Sequence, residues 1–227
     1  MRRKAGHRGG RGESWPTENT FAAFERALAE GADALELDVR LCATGEVVVF
    51  HDPDLKRMSG GADLREVQHV PYLELSTRYR APRLRDVVAF CNDRRVGLNI
   101  EVKYDAVARA VLASRVLCTL AEFPELDAIV SSFDPRILAR IGVSRRHRLA
   151  FLTTTERRWS LPLARALAAG KLVHAIHLEQ KLATPREIRA IRARGVDVGV
   201  WTVNDPEAAR ALRAAGADWV ITDAPGK

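Results

Sequence analysis

Acidic side chains recur inside segments that otherwise have the apolar pattern of buried strands. Glu36 and Asp38 alternate with leucine and valine, and Glu101 stands in the same alternating position of a second apolar segment. Burying an unpaired carboxylate costs several kcal/mol, so each acid needs a compensating partner. A salt bridge to lysine or arginine would satisfy a single acid, whereas three acids gathered at one point favour one divalent cation. Ligation by oxygen alone favours Mg²⁺ or Ca²⁺, with Mn²⁺ also possible, over zinc.

Two histidines stand at the ends of other apolar segments. His7 closes the first of these and is followed by Arg8, and His51 follows the segment Val47–Phe50. Because the unperturbed pKa of histidine is ~6.5, such a pair can divide the proton transfers of a hydrolysis between an acid and a base. The sequence assigns neither role to either histidine.

Strand-like segments alternate with amphipathic helical segments along the chain, and this alternation predicts an α/β fold with a mostly parallel sheet. The segments with strand character are Lys4–His7, Ala34–Val39, Val47–Phe50, Gly97–Val102, Ala128–Ser131, Leu149–Thr153, Ala175–Leu178, Asp197–Val203 and Trp219–Thr222. The segments with helical periodicity are Phe21–Glu30, Leu84–Arg94, Ala106–Phe123, Pro135–Ile141, Leu161–Ala169, Pro185–Ala193 and Pro206–Ala215.

Nine strand segments are one too many for a (β/α)₈ barrel, and a hairpin accounts for the extra one. The link between Val39 and Val47 is too short for a crossover helix, and Gly45 suits a tight turn. We therefore predict a TIM-type barrel with a short β-hairpin excursion after its second strand. A hairpin centred on Thr44–Gly45 would place Asp38 opposite His51, whereas a slip of one residue would move His51 to the other face.

The alternation within the strands predicts which side chains enter the barrel. The leucine and valine neighbours of Glu36 and Asp38 would pack on the helices, which turns both acids inward. The same argument turns Glu101 and Lys103 inward on the next parallel strand. These side chains would converge at the C-terminal mouth, where barrel enzymes place their chemistry.

Composition limits the class of protein. With 227 residues, of which 47% are hydrophobic, we expect a single domain over 1–227, with a short inserted segment at about 53–83. The net charge of +7 comes from arginines at helical spacing among alanine and leucine, and only 6% of residues are aromatic. We therefore expect no nucleic-acid partner.

The chain also lacks the usual signals for export or membrane insertion. It has no apolar run of about 18 residues, so we expect no stable membrane anchor, and no apolar segment follows the charged N-terminus as in a secretory signal. Cys42, Cys91 and Cys118 lie far apart without a CxxC motif, which favours reduced thiols over disulfides or a zinc site. We expect a cytoplasmic protein; the sequence does not indicate an oligomeric state.

An ordered set of short motifs accompanies these residues. They are AGHRGGRG at the first strand, then TENT, ELDV, VVFHD, NIEVK, SSFD, VWTVND and ITDAP. Together they resemble the glycerophosphodiester phosphodiesterase family over essentially the whole chain. One departure is Thr17, which separates Pro16 from Glu18 where the family usually has a contiguous Pro-Glu-Asn-Thr, and which alters the loop that would meet the substrate's alcohol group.

The resemblance implies a role for each candidate residue. His7 and His51 would be the general acid and base, Arg8 and Lys103 would contact the phosphate, and Trp201 would either pack on the substrate's glycerol or fill the barrel core. The metal ligands would be Glu36, Asp38 and Glu101.

The same resemblance implies a metal-dependent phosphodiesterase that acts on a small-molecule glycerophosphodiester and releases glycerol 3-phosphate and an alcohol. The segment at 53–83 is short and charged, which favours water-soluble esters. Two alternatives stay open. One is a lysophospholipase D-like hydrolase of single-chain phospholipids, and the other is a non-catalytic barrel that binds phosphate esters.

Overall fold

The strands close into a barrel because the first of them pairs with a neighbour on each side. The computed structural model describes residues 2–105, 108–142 and 147–227. Its strands are β1 (Arg3–His7), β2 (Ala34–Leu41), β3 (Val47–Val49), β4 (Gly97–Val102), β5 (Ala128–Ser132), β6 (Arg148–Leu152), β7 (Ala175–Glu179), β8 (Asp197–Trp201) and β9 (Trp219–Thr222). The order is β1-β9-β8-β7-β6-β5-β4-β2, with β1 also paired to β2, and all of these pairings are parallel. The predicted TIM-type (β/α)₈ barrel is confirmed.

Helices lie between successive barrel strands and cover them from outside. They are α1 (Phe21–Ala29), α2 (Tyr72–Tyr79), α3 (Leu84–Arg94), α4 (Arg109–Ala121), α5 (Pro135–Gly142), α6 (Ser160–Ala169), α7 (Pro185–Arg192) and α8 (Pro206–Ala215). Short 3₁₀ helices lie before α2, at Val67–His69, and before α7, at Gln180–Leu182. The predicted helix Ala106–Phe123 corresponds to α4, and the start predicted for it lies outside the described residues.

Alternation along β2 separates the core from the barrel interior. Leu35, Leu37 and Val39 are completely buried in the core between strands and helices, where each contributes about 1.5–3 kcal/mol relative to exposure. The interior opposite them is filled mostly by small side chains. That inner cluster consists of Ala5, Ala34, Ile129, Ala150, Ala175, Trp219 and Ile221, with Trp201 packed against it.

The short hairpin forms as predicted, but its register differs by one residue. β3 pairs antiparallel with β2 so that Val39 faces Val49, and the amide of Phe50 donates to the Asp38 carbonyl at 2.9 Å. Asp38 is therefore opposite Phe50, and the predicted pairing of Asp38 with His51 was wrong. The cause is the turn, in which Gly45 has a φ of +85° and Cys42 pairs with Glu46, so that the loop is centred on Thr44.

The segment after β3 folds against the hairpin through a small apolar cluster of its own. Leu55, Val70 and Leu75 are completely buried against Val48 and Phe50. α2 belongs to this segment and was not predicted, because its sequence YLELSTRY is short and half polar. Leu73, in the same helix, is 74% exposed.

Candidate active site

Three carboxylates meet at the C-terminal end of β2 and β4. Asp38 is the direct neighbour of Glu101 across these parallel strands, and Glu36 lies one inward position before Asp38. One oxygen from each of Glu36, Asp38 and Glu101 lies within 4.8 Å of the others, and all three residues are buried. Oxygen ligands at this spacing suit a hard divalent cation.

The electrostatics of Glu36 test whether such a cation fits. Burial raises the pKa of Glu36 well above its usual value, and repulsion from Asp38 and Glu101 raises it further. The Glu36 carboxylate accepts the backbone N–H of Arg8 at 3.1 Å, and its ion-pair partner among the described residues is the His7 imidazole at 3.8 Å, which carries a charge only when protonated. A buried carboxylate without full compensation needs further positive charge, so the donor set fits a divalent ion.

Lys103 and Arg8 supply part of that compensation. The Lys103 ammonium lies 2.7 Å from both Asp38 and Glu101, and Arg8 Nε lies 3.2 Å from Asp38. Burial alone would raise the pKa of Asp38, but Lys103 and Arg8 outweigh it and hold that pKa below its usual value. Both cations line the open cavity, where they could also meet an anionic substrate.

His7 is paired with a carboxylate from the far end of the chain. Its Nδ1 lies 2.7 Å from Asp223 Oδ1, just after β9, which leaves Nε2 on the side of Glu36 and the cavity. Burial lowers the pKa of His7, although the hydrogen bond to Asp223 opposes that shift. The Asp223 carboxylate also accepts both Nε and an Nη of Arg11, at 2.8 and 3.1 Å.

His51 has a similar partner next to it in sequence. Its Nδ1 lies 2.6 Å from Asp52 Oδ1, and Asp52 accepts Arg57 Nε at 2.6 Å. The backbone carbonyl of His51 accepts Arg40 Nε at 2.9 Å. Because β3 ends at Val49, this carbonyl contact and the Asp52 pair set the position of His51 in place of the strand pleat.

Glu18 connects the two histidine pairs. It lies 2.6 Å from Arg57, 3.1 Å from Arg8 and 3.8 Å from Arg11. Burial would raise the pKa of Glu18, but Arg8 and Arg57 outweigh it and the pKa is lowered. A continuous series of ionic contacts therefore runs from His7 through Asp223, Arg11, Glu18, Arg57 and Asp52 to His51.

The loop around Glu18 also positions a hydrogen-bond donor to the carboxylate cluster, the side-chain amide of Asn19. Thr20 is the N-cap of α1, where its hydroxyl accepts the Ala23 amide, and Asn19 before it has a left-handed φ of 58°. This turn directs the Asn19 amide to Asp38 Oδ2 at 3.0 Å. Despite the inserted Thr17, the helix start keeps Asn19 on the carboxylate cluster.

These groups surround a cavity of about 440 Å³. It is lined by His7, Arg8, Glu36, His51, Glu101, Lys103 and Trp201 among the sequence-predicted site residues, and Asp38 lies buried beneath them. One wall is aromatic: the rings of Tyr104 and Phe133 are 6.0 Å apart, and those of Phe133 and Trp201 are 5.7 Å apart, each pair edge-to-face. Trp201 Nε1 donates to the His177 carbonyl at 3.3 Å, so the ring contributes to both the wall and the core.

Two polar residues of β7, His177 and Glu179, do not line this cavity. His177 is completely buried within the barrel and packs against Trp219, while Glu179 accepts hydrogen bonds from Thr154 and Thr155. A Cβ on Gly199 would collide with the His177 ring, so the ring occupies the space that glycine leaves.

Several residues of the site carried weaker sequence signals. Asp52 directly follows His51 in the HD motif, and Arg40 occupies the next inward position of β2 after Asp38. Arg11, Arg57 and Glu18 lie in loops, where no periodicity indicates the direction of a side chain. Their contribution emerges only from the folded arrangement.

Comparison with known proteins places this arrangement in a wider group. A profile of the glycerophosphoryl diester phosphodiesterase family matches residues 7–227. A glycerophosphodiester phosphodiesterase from Caldanaerobacter subterraneus subsp. tengcongensis is 27% identical over 222 residues, covering 92% of this chain and 89% of that protein. Lysophospholipase D from Homo sapiens is 26% identical over 262 residues, covering 97% and 83%. The crystal structure of a glycerophosphodiester phosphodiesterase from Thermotoga maritima has a TM-score of 0.83 at 29% identity, covering 100% of this chain and 96% of that one.

Proposed function

The chain belongs to the glycerophosphoryl diester phosphodiesterase family, and from that membership we propose how its cavity cleaves a glycerophosphodiester to glycerol 3-phosphate and an alcohol. The enzyme is a phosphoric diester hydrolase. The observation that carries the proposal is the meeting of two carboxylate-paired histidines and a three-carboxylate cluster on one cavity.

Charge neutralisation is the first requirement, because the anionic oxygens of a phosphodiester repel a nucleophile. Glu36, Asp38 and Glu101 would hold a divalent cation, Mg²⁺ or Ca²⁺ with Mn²⁺ also possible, whose chemistry is to neutralise the phosphate and stabilise the charge that builds in the transition state. Arg8 and Lys103 bind the same phosphate from the cavity wall. Their ion pairs with the carboxylates fix both cations before substrate arrives.

Proton transfer falls to the two histidines. Hydrogen bonds from Nδ1 to Asp223 and Asp52 leave the Nε2 atoms of His7 and His51 for substrate. Burial lowers the pKa of His7, so its ring is neutral near pH 7 and accepts the proton of the nucleophile. His51 then protonates the leaving alcohol, and each transfer is worth about 10²–10⁴-fold.

A second candidate substrate class is single-chain phospholipids, which is favoured by the similarity to lysophospholipase D from Homo sapiens. The aromatic wall formed by Tyr104, Phe133 and Trp201 could receive an acyl chain.

Among the described residues, no helix has the length and apolar character needed to cross a bilayer. We propose that the chain is one domain with an insertion at 53–83, works in the cytoplasm, where its three unpaired cysteines stay reduced, and takes small-molecule esters.

The test is release of glycerol 3-phosphate from glycerophosphoinositol and glycerophosphocholine, and of 1-acylglycerol 3-phosphate from a lysophospholipid, with EDTA and after adding back Mg²⁺, Ca²⁺ or Mn²⁺. His51→Asn should abolish turnover, and His69→Asn, which changes a histidine exposed to solvent outside the cavity, should not. Binding of glycerol 3-phosphate without turnover of any ester would instead identify a non-catalytic phosphate-ester-binding barrel.

A further inference from the structure

Arg157 is a cation on the cavity wall that the catalytic scheme does not use. It follows β6 in the loop after Thr154 and lines the same cavity as both histidines. Its guanidinium carbon lies 4.0 Å from the centre of the Tyr104 ring and 5.9 Å from that of Phe133. The side chain is thus held against the aromatic wall at a fixed place beside the substrate space.

The other cations that line the cavity are already paired with carboxylates. Lys103 contacts Asp38 and Glu101, and the three further arginines of the lining have one partner or more each. These arginine pairs are Arg8 with Glu18, Arg11 with Asp223 and Arg40 with Asp105. Arg157 instead has only ring contacts: among residues 2–105, 108–142 and 147–227, no carboxylate lies within 4.0 Å of its guanidinium nitrogens.

This arrangement disfavours a cationic alcohol group. A quaternary ammonium is bound by open aromatic faces, and here the guanidinium covers a face of Tyr104. A choline group beside this wall would face a like charge. Glu156, the acid of this loop that lines the cavity, is exposed to solvent, so its attraction for a cation is screened.

We propose that Arg157 selects glycerophosphodiesters whose alcohol carries an anionic group, a phosphate or a carboxylate. The planar guanidinium, fixed by Tyr104, can donate paired hydrogen bonds to such a group without first breaking an ion pair. The inference rests on the proposed function, since it names the substrate class of the same site. Arg157 would determine selectivity, and the chemistry at phosphorus stays with the groups on or just after β1, β2, β3 and β4.

The test compares substrates that differ in one charged group on the alcohol. Glycerophosphoinositol 4-phosphate and glycerophosphoinositol differ by a single phosphate on the alcohol, and glycerophosphocholine is the cationic member of the series. The wild type should have the highest kcat/KM for the anionic ester, and Arg157→Gln should lower the anionic-to-neutral ratio about 10-fold, as expected for a lost charged hydrogen bond. Arg157→Lys should retain part of the preference, and Arg158→Gln, which removes the neighbouring exposed charge, should retain all of it.

Salt gives a second measurement that needs no variant. The anionic preference of the wild type should shrink as ionic strength rises from about 0.02 to 0.5 M, because the mouth of the cavity is open to solvent. Turnover of all three esters without an anionic preference, or a preference unaffected by Arg157→Gln, overturns this inference and leaves the proposed function standing. Absence of turnover for every ester, with metal present, contradicts the proposed function itself.

Discussion

His7 Nδ1 and Asp223 Oδ1 lie 2.7 Å apart although 216 positions separate them in sequence. β1 and β9 are parallel neighbours, and the closure of the barrel is what brings the two side chains together. Asp223 also binds Arg11 through both carboxylate oxygens, so its orientation toward the histidine is fixed. Asp223 is therefore a positioning residue for His7.

Asp223→Asn should lower kcat/KM about 10–100-fold and move its low-pH limb to lower pH. The carboxylate raises the pKa of His7 against the lowering caused by burial, so its loss makes the ring less basic. A base must be deprotonated to act, and a less basic ring stays deprotonated at lower pH. The measurement is the pH profile of kcat/KM, with Asp93→Asn, an exposed acid on α3, as the matched control. A reduced rate with an unmoved limb would remove Asp223 from the proton-transfer step.

Glu36→Gln should make the metal-free protein more stable and less responsive to metal. In the absence of metal, the mutation relieves buried repulsion from Asp38 and Glu101, so the melting temperature should rise. For the wild type, metal at 100 times its Kd should add about 3 kcal/mol, or roughly 5–10 °C, and Glu36→Gln should lose most of that gain. Thermal unfolding with EDTA tests the higher melting temperature, and thermal unfolding with Mg²⁺ tests the smaller gain from metal. Glu25→Gln, at an exposed position, is the control. An equal metal response in both proteins would place the ion elsewhere.

His177 should make the fold acid-sensitive. Burial lowers its pKa to about 3, and neither ring nitrogen has a hydrogen-bond partner among the described residues. The unfolded chain takes up a proton near its ordinary pKa of ~6.5 while the folded protein does not. The free energy of unfolding therefore falls as the pH drops below ~6.5 toward the pKa of about 3 in the folded protein, by about 3 kcal/mol between pH 7 and 4.

The corresponding variant is His177→Leu, whose urea unfolding free energy should fall less between pH 7 and 4 than that of the wild type. His69→Gln alters an exposed histidine and should reproduce the wild-type slope. If the unfolding free energy depended on pH equally in the wild type and in His177→Leu, the buried ring would take up its proton in the folded state.

Arg57→Gln should lower kcat/KM about 3–10-fold with little change in melting temperature. Arg57 lies 2.6 Å from both Asp52 and Glu18, and it connects the segment after β3 to the carboxylate that pairs with His51. Its side chain is 50% exposed, so these pairs contribute little to stability. Steady-state kinetics beside a melting curve separate the two effects, and Lys56→Gln removes a neighbouring exposed charge as control. A large loss of stability would instead indicate a structural role.

The part of the site that lies on strands was accessible from sequence. Alternation within β2 and β4 turns Glu36 and Glu101 to the side opposite the buried leucines, and that pattern is local. The barrel followed from counting strand segments once Gly45 had marked a hairpin. These features depend on periodicity and turn chemistry, which can be recognised within a short stretch of sequence.

The remaining features depend on contacts between distant segments. The register of β3 depends on a turn that is centred on Thr44. This register places Phe50 opposite Asp38, whereas a register shifted by one residue would place His51 there. The packing of Arg157 on Tyr104 joins two loops with no shared pattern. No periodicity encodes such contacts, so sequence reasoning could name the histidines without finding the network that connects them.

The pairing of His7 with Asp223 also has a consequence for how the enzyme is made. The three acids of the carboxylate cluster all lie within the first 101 residues, whereas Asp223 directly follows the last barrel strand, β9. The pair of His7 with Asp223 therefore forms only when β9 has docked beside β1. An assay of hydrolysis reports whether the barrel has closed, and nascent chains that lack β9 cannot consume substrate.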